Sequence, residues 1–212
     1  MIAPQEHEYS VVGGVNRASV GRYLSLVASG ISAGLVFVIL QVVDFAERLG
    51  WNVNTPPTLF SFVGASAVFL ILYWILNKWA WKWPGVWLYL KVPDVSGIWD
   101  CTGKTIDANG ATKYEWTAEV TIVQSWDKLR IRLATKTSGS NSISAAIGHD
   151  SVDGFVLLYH YINDPHPDAA ELRPHRGCCS MTIAKDLKSA RGEYFNGRGR
   201  MTFGTMDWKK RN

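Results

Sequence analysis

Two long stretches without a charged side chain constrain this chain more than anything else in it. Tyr23 to Val43 gives 21 such residues and Leu59 to Leu76 gives 18 more, within a chain of 212. Each approaches the roughly 20 apolar residues that carry a helix across the hydrocarbon core of a bilayer. Backbone polar groups at that depth must be satisfied inside the segment, so both runs are expected to be helical. The first run is too long for a secretory leader, comes after about twenty mostly polar residues and is soon succeeded by a second run. Together they read as a transmembrane helical hairpin with spans at about 23–43 and 59–76, and residues 1–92 form a tail and anchor.

Flanking charges orient the hairpin. Arg17 and Arg22 precede the first span and Lys78 and Lys82 come after the second, whereas the connection from Asp44 to Thr58 holds Asp44 and Glu47 against Arg48. The positive-inside rule then places both termini in the cytoplasm of a multi-pass inner-membrane protein. Gly50 and the Pro56-Pro57 pair suit a turn outside the bilayer. Trp79, Trp81, Trp83, Trp87 and Tyr89 form an interfacial belt, where indoles bury a ring and keep their N–H wet. Gly30 and Gly34, with Ser29 and Ala33, repeat the small-x-x-x-small spacing that lets helices approach closely, and Ser61 and Ala65 do so in the second span. That face serves either packing within the hairpin or association between subunits. Neither span holds Asp, Glu, Lys or Arg, which argues against a proton relay or ion-coupled transport.

After Pro93 the pattern changes to short alternating runs, so residues 93–212 are expected to form a separate strand-rich domain. Candidate strands are Ser96–Gly103, Tyr114–Val123, Lys128–Lys136, Ser142–His149, Gly154–Asn163, Arg176–Ala184, Ser189–Asn196 and Gly199–Trp208. Alternation is clearest where Trp116, Ala118, Val120 and Ile122 share a face, and where Leu129, Ile131 and Leu133 oppose Arg130 and Arg132. Turn residues at Asp107–Gly110, Ser125–Asp127, Asp153-Gly154 and Gly197–Gly199 punctuate the runs. Eight short strands at this spacing predict an all-β domain, a small eight-stranded antiparallel barrel of the lipocalin kind. Gly97-Ile98-Trp99 matches the G-x-W pattern of lipocalins, in which a tryptophan closes one end of the barrel and an arginine packs across it. Such a barrel either fills with its own side chains or holds one small ligand.

Composition narrows the function. A net charge of +4 without any long basic run gives no groove for a DNA or RNA polymer. Cys101, Cys178 and Cys179 make an odd set with a vicinal pair, read as reduced thiols facing the cytosol and not as a disulfide or zinc framework. No H-E-x-x-H, G-x-S-x-G or P-loop is present, and His149, His160, His166 and His175 are scattered, so no catalytic set, metal or cofactor is expected. Asp164, His166 and Asp168 alternate in a proline-rich loop, which a solvated connection explains. Serines 138, 140, 142 and 144 alternate onto one face, toward either a polar ligand or solvent.

The candidate binding residues are aromatics and arginines. Tyr159 and Tyr161 share a face of an apolar run, and Tyr194 precedes Arg198 and Arg200 in a glycine-rich turn. Arginine grips phosphate bidentately, and aromatic rings stack on nucleobases. Trp99 completes the set, although its position suits core packing as well.

Taken together the layout resembles the two-transmembrane, β-barrel effectors associated with bacterial CD-NTases in CBASS anti-phage operons. The carriers are the hairpin, Val95 to Trp99, Val120 to Trp126, Leu157 to Pro165 and Gly192 to Arg198, in that order, with Asn196 where a threonine is expected. The resemblance implies a receptor, not an enzyme, for a cyclic oligonucleotide made by a partner nucleotidyltransferase. Ligand capture would drive homo-oligomerisation and disruption of membrane lipid by the gathered hairpins. The alternative is a membrane-tethered, lipocalin-like barrel that holds an apolar ligand.

Overall fold

The computed structural model describes residues 5–53, 60, 63–168, 173–197 and 200–211. It divides into two compact units, one of Val15–Trp83 and one of Met1–Gly14 with Pro84–Asn212.

The first unit is helical. Helix α1 spans Arg17–Arg48 and starts at Asn16, whose side chain accepts from Ala18 N at 2.8 Å, a good cap because its oxygen satisfies an orphan amide of the first turn. Its 32 residues rise about 48 Å, enough to cross a bilayer with length to spare. Leu26, Phe37, Val38 and Val42 are all at least half exposed. Helix α2, Ala65–Lys78, carries most of the described part of the second apolar run; residues 59, 61 and 62 of that run lie outside the described set, as does the Pro56-Pro57 pair. α1 and α2 are in contact. Ala28 and Ser32 are the buried small residues of α1's middle turns, and the Ser32 hydroxyl donates to Val63 O. Gly30 and Gly34, by contrast, have nothing within 4 Å of where a Cβ would stand among the described residues. Among the described residues, the helix contact therefore uses the neighbouring small residues and leaves the glycine face open.

The second unit is a closed ring of strands preceded by a short helix, α3, Pro84–Leu90. The strands are β1 His7–Val12, β2 Gly97–Ile106, β3 Thr112–Gln124, β4 Lys128–Ala134, β5 Ser138–Asp150, β6 Gly154–Pro165, β7 His175–Ile183, β8 Ser189–Asn196 and β9 Phe203–Lys210. From β2 to β9 every consecutive pair is antiparallel, and β2 also pairs with β9. These eight fall close to the expected runs.

The expectation of eight purely antiparallel strands is corrected by a ninth. β4 and β5 pair directly only at Arg132–Ala134 against Asn141–Gly139. Beyond that they part, and β1 fills the gap, antiparallel to β4 at His7 and Glu8 and parallel to β5 from Tyr9 to Val12. The seam is stitched by side chains. Ile131 N donates to Ser142 Oγ at 2.9 Å, and His7 Nε2 bonds the same hydroxyl at 2.7 Å. A bulge between Ser142 and Ser144 then shifts the alternation of β5. Serines 138, 140 and 142 face inward and are at least nine-tenths buried, while Ile143 is 41% exposed. A one-residue insertion in a strand of period two transfers the succeeding side chains to the other face.

Inward positions divide the ring along its length. At the end where β2 and β4 begin, Trp99, Val120, Leu129, Ile131, Leu157, Met181 and Ile183 are essentially buried. Trp99 and Trp208 lie 6.2 Å apart, and Lys210 Nζ sits 5.4 Å from the Trp99 ring centre, a lysine in the place of the expected arginine. At this end buried Gln124 ties β1 to the segment before β2: Val95 N donates to Oε1 at 2.9 Å, while Nε2 donates to Pro93 O at 3.0 Å and to Tyr9 OH at 3.4 Å. At the opposite end the interior is not filled.

Candidate functional site

A cavity of about 190 Å³ opens among the turns Ile106–Thr112, Ala134–Ser138 and Asn196–Phe203, at the mouth of the ring. Strand parity positions its walls. On β6, inward side chains run Phe155, Leu157, Tyr159, Tyr161, Asn163 from the filled end to the mouth, so one column passes from apolar to aromatic to amide. Ser140 and His175 flank Asn163 in register, on β5 and β7.

The two sides of the cavity differ chemically. On the β2, β3, β8 and β9 side stand Tyr114, Trp116, Tyr194 and Arg200. Arg200 Nη2 donates to Tyr114 OH at 2.8 Å, Thr105 and Tyr194 share a hydroxyl bond of 2.7 Å, and Trp116 Nε1 donates to Tyr194 OH at 3.4 Å. The Trp116 and Tyr194 rings meet edge to face with centroids 5.7 Å apart. Gly103 makes room for this: a Cβ there would stand 2.2 Å from Trp116 Cζ2. On the β4, β5 and β6 side the lining is neutral, with Thr135, Thr137, Ser138, Ser140 and Asn163. Asn196 bridges toward the mouth, accepting from Tyr161 OH and donating to Thr202 Oγ1, both at 2.8 Å.

Among the described residues the lining contains no carboxylate, and Arg200 is its one permanent charge. Burial pushes the phenols of Tyr159, Tyr161 and Tyr194 upward and keeps them protonated. Tyr114 goes the other way: burial raises it, but hydrogen bonds with Thr105 and Arg200 and the guanidinium charge bring it below the ordinary phenol value. Burial lowers His175, partly offset by the bond from Nδ1 to Arg173 O at 3.0 Å, so the ring is held neutral. Cys101 and Cys179, inside the ring, are pushed up to about 12 by burial and are unreactive thiols. No group of three His, Cys, Asp or Glu among the described residues could hold a metal ion.

Of the residues singled out in the sequence, Tyr159, Tyr161, Tyr194 and Arg200 come together in this lining. Arg198 lies outside the described residues. Trp99 stands in the filled end, fully buried, its Nε1 donating to Val95 O at 3.1 Å, and does not line the cavity. Tyr114, Trp116, Asn163 and His175 line the site without having been proposed for it. Parity with Tyr161 was the available signal for Asn163, and Trp116 was visible as an inward residue.

Two family models match the chain: "Cap15, cyclic dinucleotide receptor domain" over residues 90–210 and "Cap15, TM helices" over residues 18–82. The chain belongs to the Cap15 family. It is also 40% identical over 202 residues to CD-NTase-associated protein 15 of Yersinia aleksiciae, covering 95% of this chain and 96% of that protein. The stretch matched by the Cap15 receptor domain contains every residue of the cavity lining. The stretch matched by the Cap15 TM helices contains α2 and all but the first residue of α1, the one described helix long and apolar enough to cross a membrane.

Proposed function

We propose that this chain is a membrane-anchored receptor for a cyclic dinucleotide, in which ligand capture drives self-association and disruption of the bacterial inner membrane. The observation that carries the reading is the composition of the cavity: aromatic rings for bases, a guanidinium at the mouth for a phosphate, and no carboxylate among the described residues to repel it. Base–aromatic stacking contributes about 1–3 kcal/mol per base, and a hydrogen bond to a charged group about 1.5–3 kcal/mol. The cavity volume lies below the roughly 300–1,000 Å³ of pockets that enclose drug-sized ligands. The deep part therefore takes one nucleoside, and the rest of the macrocycle lies at the mouth beside Arg200.

A partner nucleotidyltransferase supplies the ligand, and the chain itself performs no catalysis. Orientation follows from the charges flanking α1 and α2, with the ring in the cytoplasm. Assembly is supported by the open Gly30–Gly34 face, which suits a second helix. Ligand shifts that assembly only through its greater affinity for the assembled state. The rival reading, an apolar ligand, fits poorly with walls built from Ser138, Ser140, Asn163 and Arg200.

Calorimetric titration of the detergent-solubilised chain with cyclic di- and trinucleotides tests the reading. Arg200→Ala should weaken the tightest of them about 10- to 150-fold, the equivalent of losing a charged hydrogen bond. Binding of a lipid but of no nucleotide would replace this reading with the rival one.

A further inference from the structure

We propose that Asn163 is the residue that selects the ligand's base, by accepting a hydrogen bond from an N–H on the base edge. This rests on the nucleotide-receptor reading of the cavity. Several buried side-chain atoms of the described residues lack a hydrogen-bond partner, and Asn163 Oδ1 is the one that belongs to the cavity lining. Asn163 is only 7% exposed, and buried polar groups in folded proteins are nearly always paired. An unpartnered acceptor in the wall of a binding cavity is held for something that arrives.

Its neighbours decide which way the amide faces. Thr135 Oγ1 donates to Ser138 O at 3.1 Å and accepts from Ser138 N at 3.0 Å and Thr137 N at 3.3 Å, which fills its bonding capacity and leaves the Ser138 hydroxyl to the amide. Ser138 Oγ accepts from Asn163 Nδ2 at 3.2 Å, which turns Oδ1 the other way. The amide torsion is a broad sp³–sp² rotor, so a small swing brings Oδ1 into the lumen. Along β6, Asn163 lies one inward position, about 7 Å, beyond Tyr161, within reach of the edge of a base stacked on that ring. The phosphate-binding groups, Arg200 and Tyr114, are on the other side of the cavity, which leaves the base to this wall. A base without an N–H would leave the acceptor unpaired, and sites built around a buried polar group reject ligands that leave it so.

The test uses the full chain in detergent and calorimetry with cyclic di-AMP, cyclic di-GMP and cyclic UMP–AMP, each beside a counterpart whose bases carry no N–H. Wild type should bind its preferred ligand at least about 10-fold more tightly than the counterpart. Asn163→Leu should bring the preferred ligand down to the counterpart's affinity and leave the counterpart within about twofold. Ser138→Ala, which frees the amide to turn over, should narrow the gap while retaining binding of both. The comparison on wild type needs no variant, so a misfolded Asn163→Leu leaves it decisive. Equal binding of ligand and counterpart by wild type overturns the inference, as does an undiminished gap in a folded Asn163→Leu. Loss of the Asn163 dependence on removing the ligand's 2′-hydroxyls would assign the contact to ribose and overturn it too. Failure of wild type to bind any nucleotide would instead remove the receptor reading beneath it.

Discussion

Replacing Gly103 by alanine should displace Trp116 and so report on the whole site. The added Cβ would lie 2.2, 2.3 and 2.7 Å from Cζ2, Cε2 and Cδ2 of the indole, where carbon atoms normally approach to about 3.5–4.0 Å. The ring must therefore withdraw by about 1.3 Å or more. Gly103 does not occupy the left-handed region of backbone space, so the methyl itself is tolerated and the effect is purely steric. Withdrawal breaks the bond to Tyr194 OH at 3.4 Å and the edge-to-face contact at 5.7 Å. Overpacking of this kind costs about 1–3 kcal/mol, which for a domain of this size lowers Tm by about 4–12 °C. Loss of the indole as a stacking surface removes about 1–3 kcal/mol per base, a fall in affinity of about 5- to 150-fold. Thermal unfolding and calorimetric titration of wild type, Gly103→Ala, Trp116→Ala and the double variant measure both effects. In the Trp116→Ala background the glycine substitution should cost little, since nothing remains to clash with. An unchanged Tm and affinity in Gly103→Ala, or an equal cost in both backgrounds, would refute the reasoning.

The same geometry sets two further outcomes. Gln124→Leu leaves Val95 N and Pro93 O without their partner, and each orphaned buried group costs about 1–3 kcal/mol. The expected drop in the denaturation midpoint should come without a change in denaturant slope. His175 has a folded pKa below its ordinary 6.5, so the unfolded chain binds more protons in the window beneath that value. The contribution of His175 to stability is therefore fully present above about pH 6.5 and is lost as pH falls toward the folded pKa. Tm measured from pH 7.5 to 5 should show this fall, and His175→Gln should flatten it.

Much of the ring was legible because its strands announce themselves by parity. β3 and β4 alternate cleanly, and the column from Phe155 to Asn163 on β6 shows a packed floor and a polar mouth in a single strand. β1 was not legible. His7–Val12 reads as a polar tail before a membrane span, and its partners at Ala145–Gly148 are more than 130 residues away; no local pattern encodes a parallel pairing at that distance. The bulge at Ser142 and Ser144 was equally hidden, since one extra residue leaves the composition untouched while it turns Ser144 off the inner face. The site was half legible for a similar reason. Tyr159 and Tyr161 can be read from one strand, whereas the Arg200–Tyr114 contact joins residues 86 positions apart across the mouth.

The Gln124 junction has a consequence within the strand unit. The end of β1 and the stretch from 91 to 96 that leads into β2 are bound together at the filled end of the ring, away from the cavity mouth. Between the cavity and that end stands the tryptophan-packed half of the ring, where Trp208 lies 6.3 Å from Tyr159 at the bottom of the chamber and 6.2 Å from Trp99 beneath, so on the receptor reading a bound ligand would sit two aromatic contacts away from the Gln124 junction.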